Sequence, residues 1–223
     1  MIAAAFDRVV AETLGERLLA AGWKALARSS WTKEDSSGSS RLALDPRRQF
    51  SQFRVLLCWD PKDMSALVGD LFREELPVES RGFLCGPYLS PARVSRSPHH
   101  WPSRTKLDLL QSIPEVWEAF KQVGEPWLEG LRDPLTFAQR ADPIAALVAG
   151  FAWERAGQME RAHSSYGEML RRIESALAIK SRAPLPASMK RQYLFLCERL
   201  GRVDPLVDQF RSELGSTGGT TRQ

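Results

Sequence analysis

The residues best suited to covalent chemistry in this chain are one cysteine and two adjacent histidines. Cys85 precedes His99 and His100 in a stretch that is rich in arginine. A thiol becomes nucleophilic when a histidine or a basic environment lowers its pKa. Because the sequence offers no third group to orient the histidine, a Cys–His nucleophile competes with a second hypothesis, an unreactive buried thiol.

Other signatures of catalysis and metal binding are missing from the sequence. It has no GxxxxGK[ST] phosphate loop, no GxGxxG, no GxSxG and no HExxH. Cys58, Cys85 and Cys197 form no CxxC pair and are too scattered for a disulfide framework. We therefore predict no catalytic residues, no cofactor and no metal site, with a hydrolase of unrecognised type as an alternative.

A basic segment that contains a tryptophan is the strongest candidate for binding. Residues 81–107 contain five Lys and Arg residues and no acid, whereas residues 108–142 contain three basic and seven acidic residues. Trp101 lies between Arg96 and Arg104, among prolines. An aromatic ring near arginines is typical of protein-interface hot spots and of surfaces that stack single-stranded nucleic acid.

The candidate partner-binding residues follow from this pattern. They are Arg93, Arg96, His99, His100, Trp101 and Arg104, together with Trp31, which lies beside a polar loop. For Trp101 the alternative is that its ring packs the loop onto its own domain.

Hydrophobic periodicity predicts the elements that must position these residues. Phe6, Val9, Leu14 and Leu18 share one face of a helix over 3–21, which Gly22 would end. Strict alternation predicts a strand over 49–59 that buries Phe53, Val55, Leu57 and Trp59. Further strands are predicted over 23–32, 41–45 and 81–90, a mobile loop over 33–40 and an exposed loop over 91–104.

Proline positions predict where helices begin. The pairs Asp60-Pro61, Asp133-Pro134, Asp142-Pro143 and Asp204-Pro205 each combine an N-capping aspartate with a proline in the first turn. Another helix is predicted to begin at Pro114, with Val116, Trp117, Phe120 and Val123 on one face. The small polar residues 215–223 are expected to be disordered.

These elements predict an α+β fold with an N-terminal helix, a small, mainly antiparallel sheet and an all-helical C-terminal region. The expected division is an α+β domain over 1–132, a helical hairpin region over 133–214 and a tail over 215–223. One continuous α+β domain is the alternative.

Residues 143–174 resemble a tetratricopeptide repeat. The residues that match its pattern are Gly150, Ala152, Trp153, Gly157, Ala162 and Tyr166. Gly150 would let the paired helix approach closely, and Gly157 would support the turn. A poorer copy over 187–214 aligns on Gly201. The resemblance implies a scaffold or a peptide-binding surface, and a generic antiparallel helix pair is the alternative.

Residues 1–140 are similar to an uncharacterised bacterial α+β domain family. The similarity rests on the first helix, FSQFRVLLCW (50–59), GFLCGPYLS (82–90), HHW (99–101) and the segment 114–131. Similar small domains occur near toxin–immunity loci, so the resemblance implies an immunity-like, toxin-neutralising binder. It transfers no catalytic residues.

The composition predicts a cytoplasmic protein. No apolar run approaches the ~20 residues that span a bilayer, and Asp7 interrupts the start too early for a secretory signal. We expect a non-enzymatic, cytoplasmic bacterial module that binds a protein partner, still unidentified, and no membrane. Nucleic-acid binding through the basic stretch 81–107 is the alternative.

Overall fold

The computed structural model describes residues 3–47, 51–64, 71, 87–140, 146–179 and 185–217. It confirms the α+β architecture, with an N-terminal helix, an antiparallel sheet and a helical C-terminal region. These residues fall into two compact units. The first holds the residues up to Asp63 and from 87 to Asp133, and the second holds Met64, Leu71 and the residues from Pro134 onward.

The sheet of the first unit is antiparallel throughout its described strands. Its order is β1-β2-β3-β4-β5-β6, and β7 also pairs with β4. The strands are β1 (Lys24–Ala27), β2 (Ser30–Glu34), β3 (Gly38–Arg47), β4 (Gln52–Pro61), β5 (Tyr88–Leu89), β6 (Val94–Ser95) and β7 (Trp101–Pro102).

The two long strands, β3 and β4, build the apolar face of this sheet. Leu42 lies opposite Leu57, and Leu44 lies opposite Val55. The alternation predicted for the second of these strands is confirmed, because Phe53, Val55, Leu57 and Trp59 are all fully buried. Since side chains alternate across a strand, one face of the ladder forms the core.

The predicted mobile loop over 33–40 is wrong. Lys33 and Glu34 belong to β2, Gly38 begins β3, and only the residues between them turn. Asp35 holds this turn, because its Oδ1 accepts hydrogen bonds from the backbone N–H groups of Ser37 and Gly38 at 2.7 and 3.1 Å. Polar residues are therefore ordered here by local side-chain-to-backbone bonds.

The strand predicted over 23–32 is two strands. Ser29 has a φ of 53° and reverses the chain between β1 and β2. The loop predicted over 91–104 is likewise not wholly exposed, because it contributes β6 and β7 to the sheet.

The N-terminal helical region covers the sheet with the predicted side chains. It consists of α1 (Ala3–Val10), a π-helical turn (Ala11–Gly15) and α2 (Glu16–Ala20). Phe6, Val9, Leu14 and Leu18 are buried. Gly22 has a φ of +83° and ends the region as predicted, since glycine adopts this conformation without steric cost.

The helix predicted to begin at Pro114 begins earlier, at Lys106. It comprises α3 (Lys106–Ala119), a π-helical turn (Phe120–Gly124) and α4 (Glu125–Gly130). Thr105 Oγ1 accepts a hydrogen bond from Asp108 N at 3.1 Å, while Thr105 N donates to Asp108 Oδ2 at 2.8 Å. This capping box fixes the start, and Pro114 lies exposed within the helix.

The second unit is helical in its described residues from Pro134 onward. Its helices are α5 (Pro134–Arg140), α6 (Ala146–Arg155), α7 (Met159–Ile179), α8 (Ala187–Arg199) and α9 (Pro205–Thr217). Two predicted starts are confirmed, at Pro134 and Pro205. At Pro205 the preceding Asp204 accepts a hydrogen bond from Leu206 N at 2.9 Å.

Two helix hairpins in this unit end their first helices in the same way. Gly157 has a φ of +71° and donates its N–H to Glu154 O, and Gly201 has a φ of +60° and donates to Glu198 O. In the first hairpin Gly150 lets α7 approach as predicted, because a Cβ there would lie 2.2 Å from Tyr166 Cε1.

Some expectations fall outside the described residues. They concern Cys85 and the rest of 81–86, the start at Asp142-Pro143, most of the helix after Pro61, and residues 218–223. Lys62–Met64 are helical, and residues 215–217 still belong to α9 rather than to a tail. Across the ranges that are described, no helix combines the length and the apolar character needed to cross a bilayer.

Candidate functional site

The basic, Trp-containing segment forms a strap across the edge of the sheet; we define the strap as residues 90–104. Its first turn is closed by Ser90 N donating to Arg93 O at 2.9 Å and by Arg93 N donating to Ser90 Oγ at 3.1 Å. Its far end is held by β7 and by Ser103 N donating to Ser51 O at 2.9 Å. The strap is therefore attached to the first unit at both ends.

Trp101 anchors the strap in the core. Its ring is fully buried and stacks on Phe53, with centroids 5.9 Å apart and 22° between the planes. The ring of Phe6 packs edge-on against the ring of Phe53, with centroids 5.7 Å apart. The indole is thus not a surface contact, and the alternative weighed from the sequence, that it packs the loop onto its own domain, describes its position.

Trp31 is also a core residue, with only 3% of its surface exposed. It lies opposite Leu42 in the sheet. A Cβ added to Gly15 would come within 3.2 Å of its Cζ2 atom, so the ring packs closely under the N-terminal helices. Neither tryptophan offers its ring to a partner at the surface.

The basic side chains of the strap point the other way. Arg93, Arg96, His100 and Arg104 are all exposed. No Asp or Glu occurs anywhere within the strap. The arrangement is a positively charged ridge on a backbone that buried aromatic packing and hydrogen bonds hold in place, which suits an acidic surface or a phosphate chain.

His99 lies between the buried and the exposed parts of the strap. Its ring meets the ring of Trp101 edge-on, with centroids 4.4 Å apart. Burial, reinforced by the neighbouring His100, lowers the pKa of His99, while Glu115 acts in the opposite direction. The imidazole is therefore neutral near pH 7.

The chemistry proposed for Cys85 with His99 or His100 lies outside the described residues, because Cys85 is not among them. Cys58 and Cys197 are buried and are not joined in a disulfide. Within the described ranges no group of three His, Cys, Asp or Glu side chains is placed to hold a metal ion.

An exposed apolar stripe that the sequence pattern did not predict begins where the strap ends. Leu107 and Leu110 have 64% and 40% of their surfaces exposed, and Pro114 follows on the same side of α3. The sequence predicts a helix only from Pro114, whereas these three residues are spaced as neighbours on a helix that begins at Lys106. The TxxD capping pattern of Thr105 and Asp108 was the available signal.

A polar network in the helical unit was likewise not predicted from the sequence. Tyr166 Oη donates to Glu154 Oε2 at 2.6 Å, and Arg199 Nη1 lies 2.9 Å from Glu154 Oε1. Burial and this carboxylate strongly raise the pKa of Tyr166, so its hydroxyl stays protonated. The network links α6, α7 and α8, so its role is to stabilise the packing of these helices.

Comparison with known proteins adds no further evidence, since no family model, no curated protein and no solved structure matches the chain.

Proposed function

We propose that this chain is a non-enzymatic protein-binding module that uses the exposed basic side of the strap. The observation that supports it most is a difference in burial between neighbouring residues. Trp101 is fully buried, whereas His100 and Arg104 are exposed. A segment fixed in this way loses little conformational entropy when a partner binds. Positive charge on a fixed backbone favours a protein with an acidic surface.

The resemblance to the uncharacterised domain family favours one form of this proposal, in which the chain is an immunity-like protein of the bacterial cytoplasm. Its partner would be an acidic toxin that the strap covers. An immunity protein needs a complementary surface rather than catalytic groups, and the exposed residues of the strap include Arg93, Arg96 and Arg104.

Nucleic-acid binding is the second candidate. Arg93, Arg96, Arg104 and Lys106 are exposed and can each contact a phosphate. The burial of Trp101 removes the ring that was expected to stack on bases, so this candidate depends on charge alone. Such binding weakens steeply as salt is added.

Affinity capture from a lysate of the source cells tests the proposal. Three baits are compared: the wild-type chain, the strap variant Arg93→Glu/Arg104→Glu, and the control variant Lys24→Glu/Arg28→Glu. The control makes the same change of charge at exposed positions of the β1 region. Trp101 is left intact, because its substitution would damage the core.

The proposal predicts one protein that is recovered with the wild-type and control baits and lost with the strap variant. Recovery of nucleic acid that salt removes would favour the second candidate instead. Equal recovery of every protein with all three baits would contradict a binding role for the strap.

A further inference from the structure

We propose that α3 is a self-complementary surface through which two copies of this chain associate, with their α3 helices antiparallel. This inference goes beyond the proposed function and does not depend on it, because the strap and the stripe of α3 use different side chains. It rests on one exposed helical face and on the order of charges along that face.

The face is defined by helical spacing. Lys106, Leu110, Pro114 and Glu118 follow one another at intervals of four, and Leu107 and Trp117 fill the adjacent positions. Trp117 is half-buried, and the other five residues are exposed. The opposite side of the helix carries the buried residues Leu109, Ile113 and Val116, so the face points away from the core.

The charges divide this face into two ends. Lys106 lies at its beginning, directly after the basic strap, and Glu118 lies at its end, beside Glu115. The two ends are about 18 Å apart at 1.5 Å per residue. An acidic partner would meet repulsion at Glu118, and a basic partner would meet it at Lys106, whereas a second copy in the antiparallel direction meets neither.

One register satisfies charge and apolar contact together. When two copies are centred at the height of Ser112, Lys106 of each faces Glu118 of the other. Leu110 then faces Pro114. Leu107 and Trp117 lie on opposite flanks of this row, and the Trp117 ring packs against Arg17 and Lys121 at 5.9 Å. A twofold axis repeats every contact, as an isologous interface requires.

The association is expected to be weak and reversible. A single helix pair covers less surface than the roughly 1,000 Å² above which a stable biological interface is usual. Charge therefore contributes a large share of the specificity, and the dimer should dissociate as salt is added.

Sedimentation velocity of the full chain over a concentration series at low salt tests the inference. We expect a monomer–dimer equilibrium that Leu110→Glu abolishes. Lys106→Glu and Glu118→Lys should each weaken the dimer about tenfold, because two attractive pairs become repulsive. The double variant Lys106→Glu/Glu118→Lys should regain wild-type association, since it restores both pairs with their signs exchanged.

Leu135→Glu is the matched control, because Leu135 is a leucine of α5 that is 42% exposed and is not one of the residues of the proposed face. It should leave the dimer unchanged. Regain in the double variant cannot come from misfolding, so the test does not depend on the single variants folding perfectly. A chain that is monomeric at every concentration, or a dimer indifferent to Leu110→Glu and to both charge reversals, would overturn the inference.

Discussion

The indole of Trp101 and the phenyl ring of Phe53 stack with centroids 5.9 Å apart, and both side chains are fully buried. The pair joins the strap to the central strand β4. Trp101→Ala should therefore lower the free energy of unfolding by about 3–5 kcal/mol, the usual cost of deleting a large buried aromatic ring. Chemical denaturation followed by circular dichroism measures this loss.

The variant Trp101→Phe separates the contribution of aromatic stacking to stability from the contribution of the size of the indole. Among the residues that the structure describes, the buried Trp101 N–H has no hydrogen-bond partner, so phenylalanine keeps an aromatic ring and removes that donor. We expect a loss below about 1.5 kcal/mol. A loss as large as that of the alanine variant would show that the indole makes an interaction beyond packing.

Gly150 and Tyr166 give a second test, in the helical unit. A Cβ at position 150 would lie 2.2 Å from Cε1 of a tyrosine that is fully buried and cannot move aside. Gly150→Ala should cost about 1–3 kcal/mol by overpacking. Thermal unfolding measures the change.

Gly167→Ala is its control within the same hairpin. The nearest atom to a Cβ at position 167 is Arg171 Nη1 at 3.9 Å, so alanine fits there. This variant should gain about 0.5–1 kcal/mol, because alanine favours the helix over glycine. Equal effects at the two glycines would contradict close helix packing at Gly150.

Gly38 begins β3 where that strand lies against β4. A Cβ there would be 2.4 Å from the backbone oxygen of Asp60 and 3.0 Å from Trp59 Cζ2. Gly38→Ala should lower stability by about 1–3 kcal/mol, since backbone cannot yield as a side chain can. Ser36→Ala, at an exposed position of the same turn, should change it by less than about 0.5 kcal/mol.

The fold was predicted best where the pattern is local. Alternation identified the buried side of β4, and Asp204-Pro205 identified the start of α9, because side-chain period and capping depend on neighbours in sequence. The turn at Asp35 was missed because its polar residues have the composition of a loop. Its order comes from the bonds that Asp35 accepts from Ser37 and Gly38, and from pairing between Gly38 and Pro61, which are distant in sequence.

The sequence predicts the positive charge of the candidate site but not the burial of its two tryptophans. Arg93 and Arg104 are exposed as their residue type suggests. Trp101 lies among Pro, His and Ser, so nothing adjacent in sequence reports that Phe53 receives its ring. The same reason applies to Trp31, since its neighbours Ser30 and Thr32 lie on the face of the sheet opposite to that of Trp31 and Leu42.

His99 makes stability depend on pH. Its pKa is lower in the folded state than its usual value near 6.5, because burial disfavours the charged ring. The unfolded chain therefore binds the proton more readily, so stability falls as pH drops below about 6.5 and is unaffected above it. The wild-type chain should lose more stability between about pH 7 and pH 5 than His99→Phe.

His163→Gln is the control for that measurement, because His163 is exposed on α7. Its pH profile should follow the wild type. The carboxyls with lowered pKa, such as Asp35, titrate below this window and leave the comparison clear. An unchanged slope in His99→Phe would contradict the assignment.

The most direct test of the binding role of the strap is equilibrium titration of the captured protein, once purified, against three forms of the chain. We expect Arg93→Glu/Arg104→Glu to weaken binding at least about tenfold by reversing charges that face an acidic surface. Lys24→Glu/Arg28→Glu should bind as the wild type does. Equal affinity of the strap variant and the control variant would contradict the central claim.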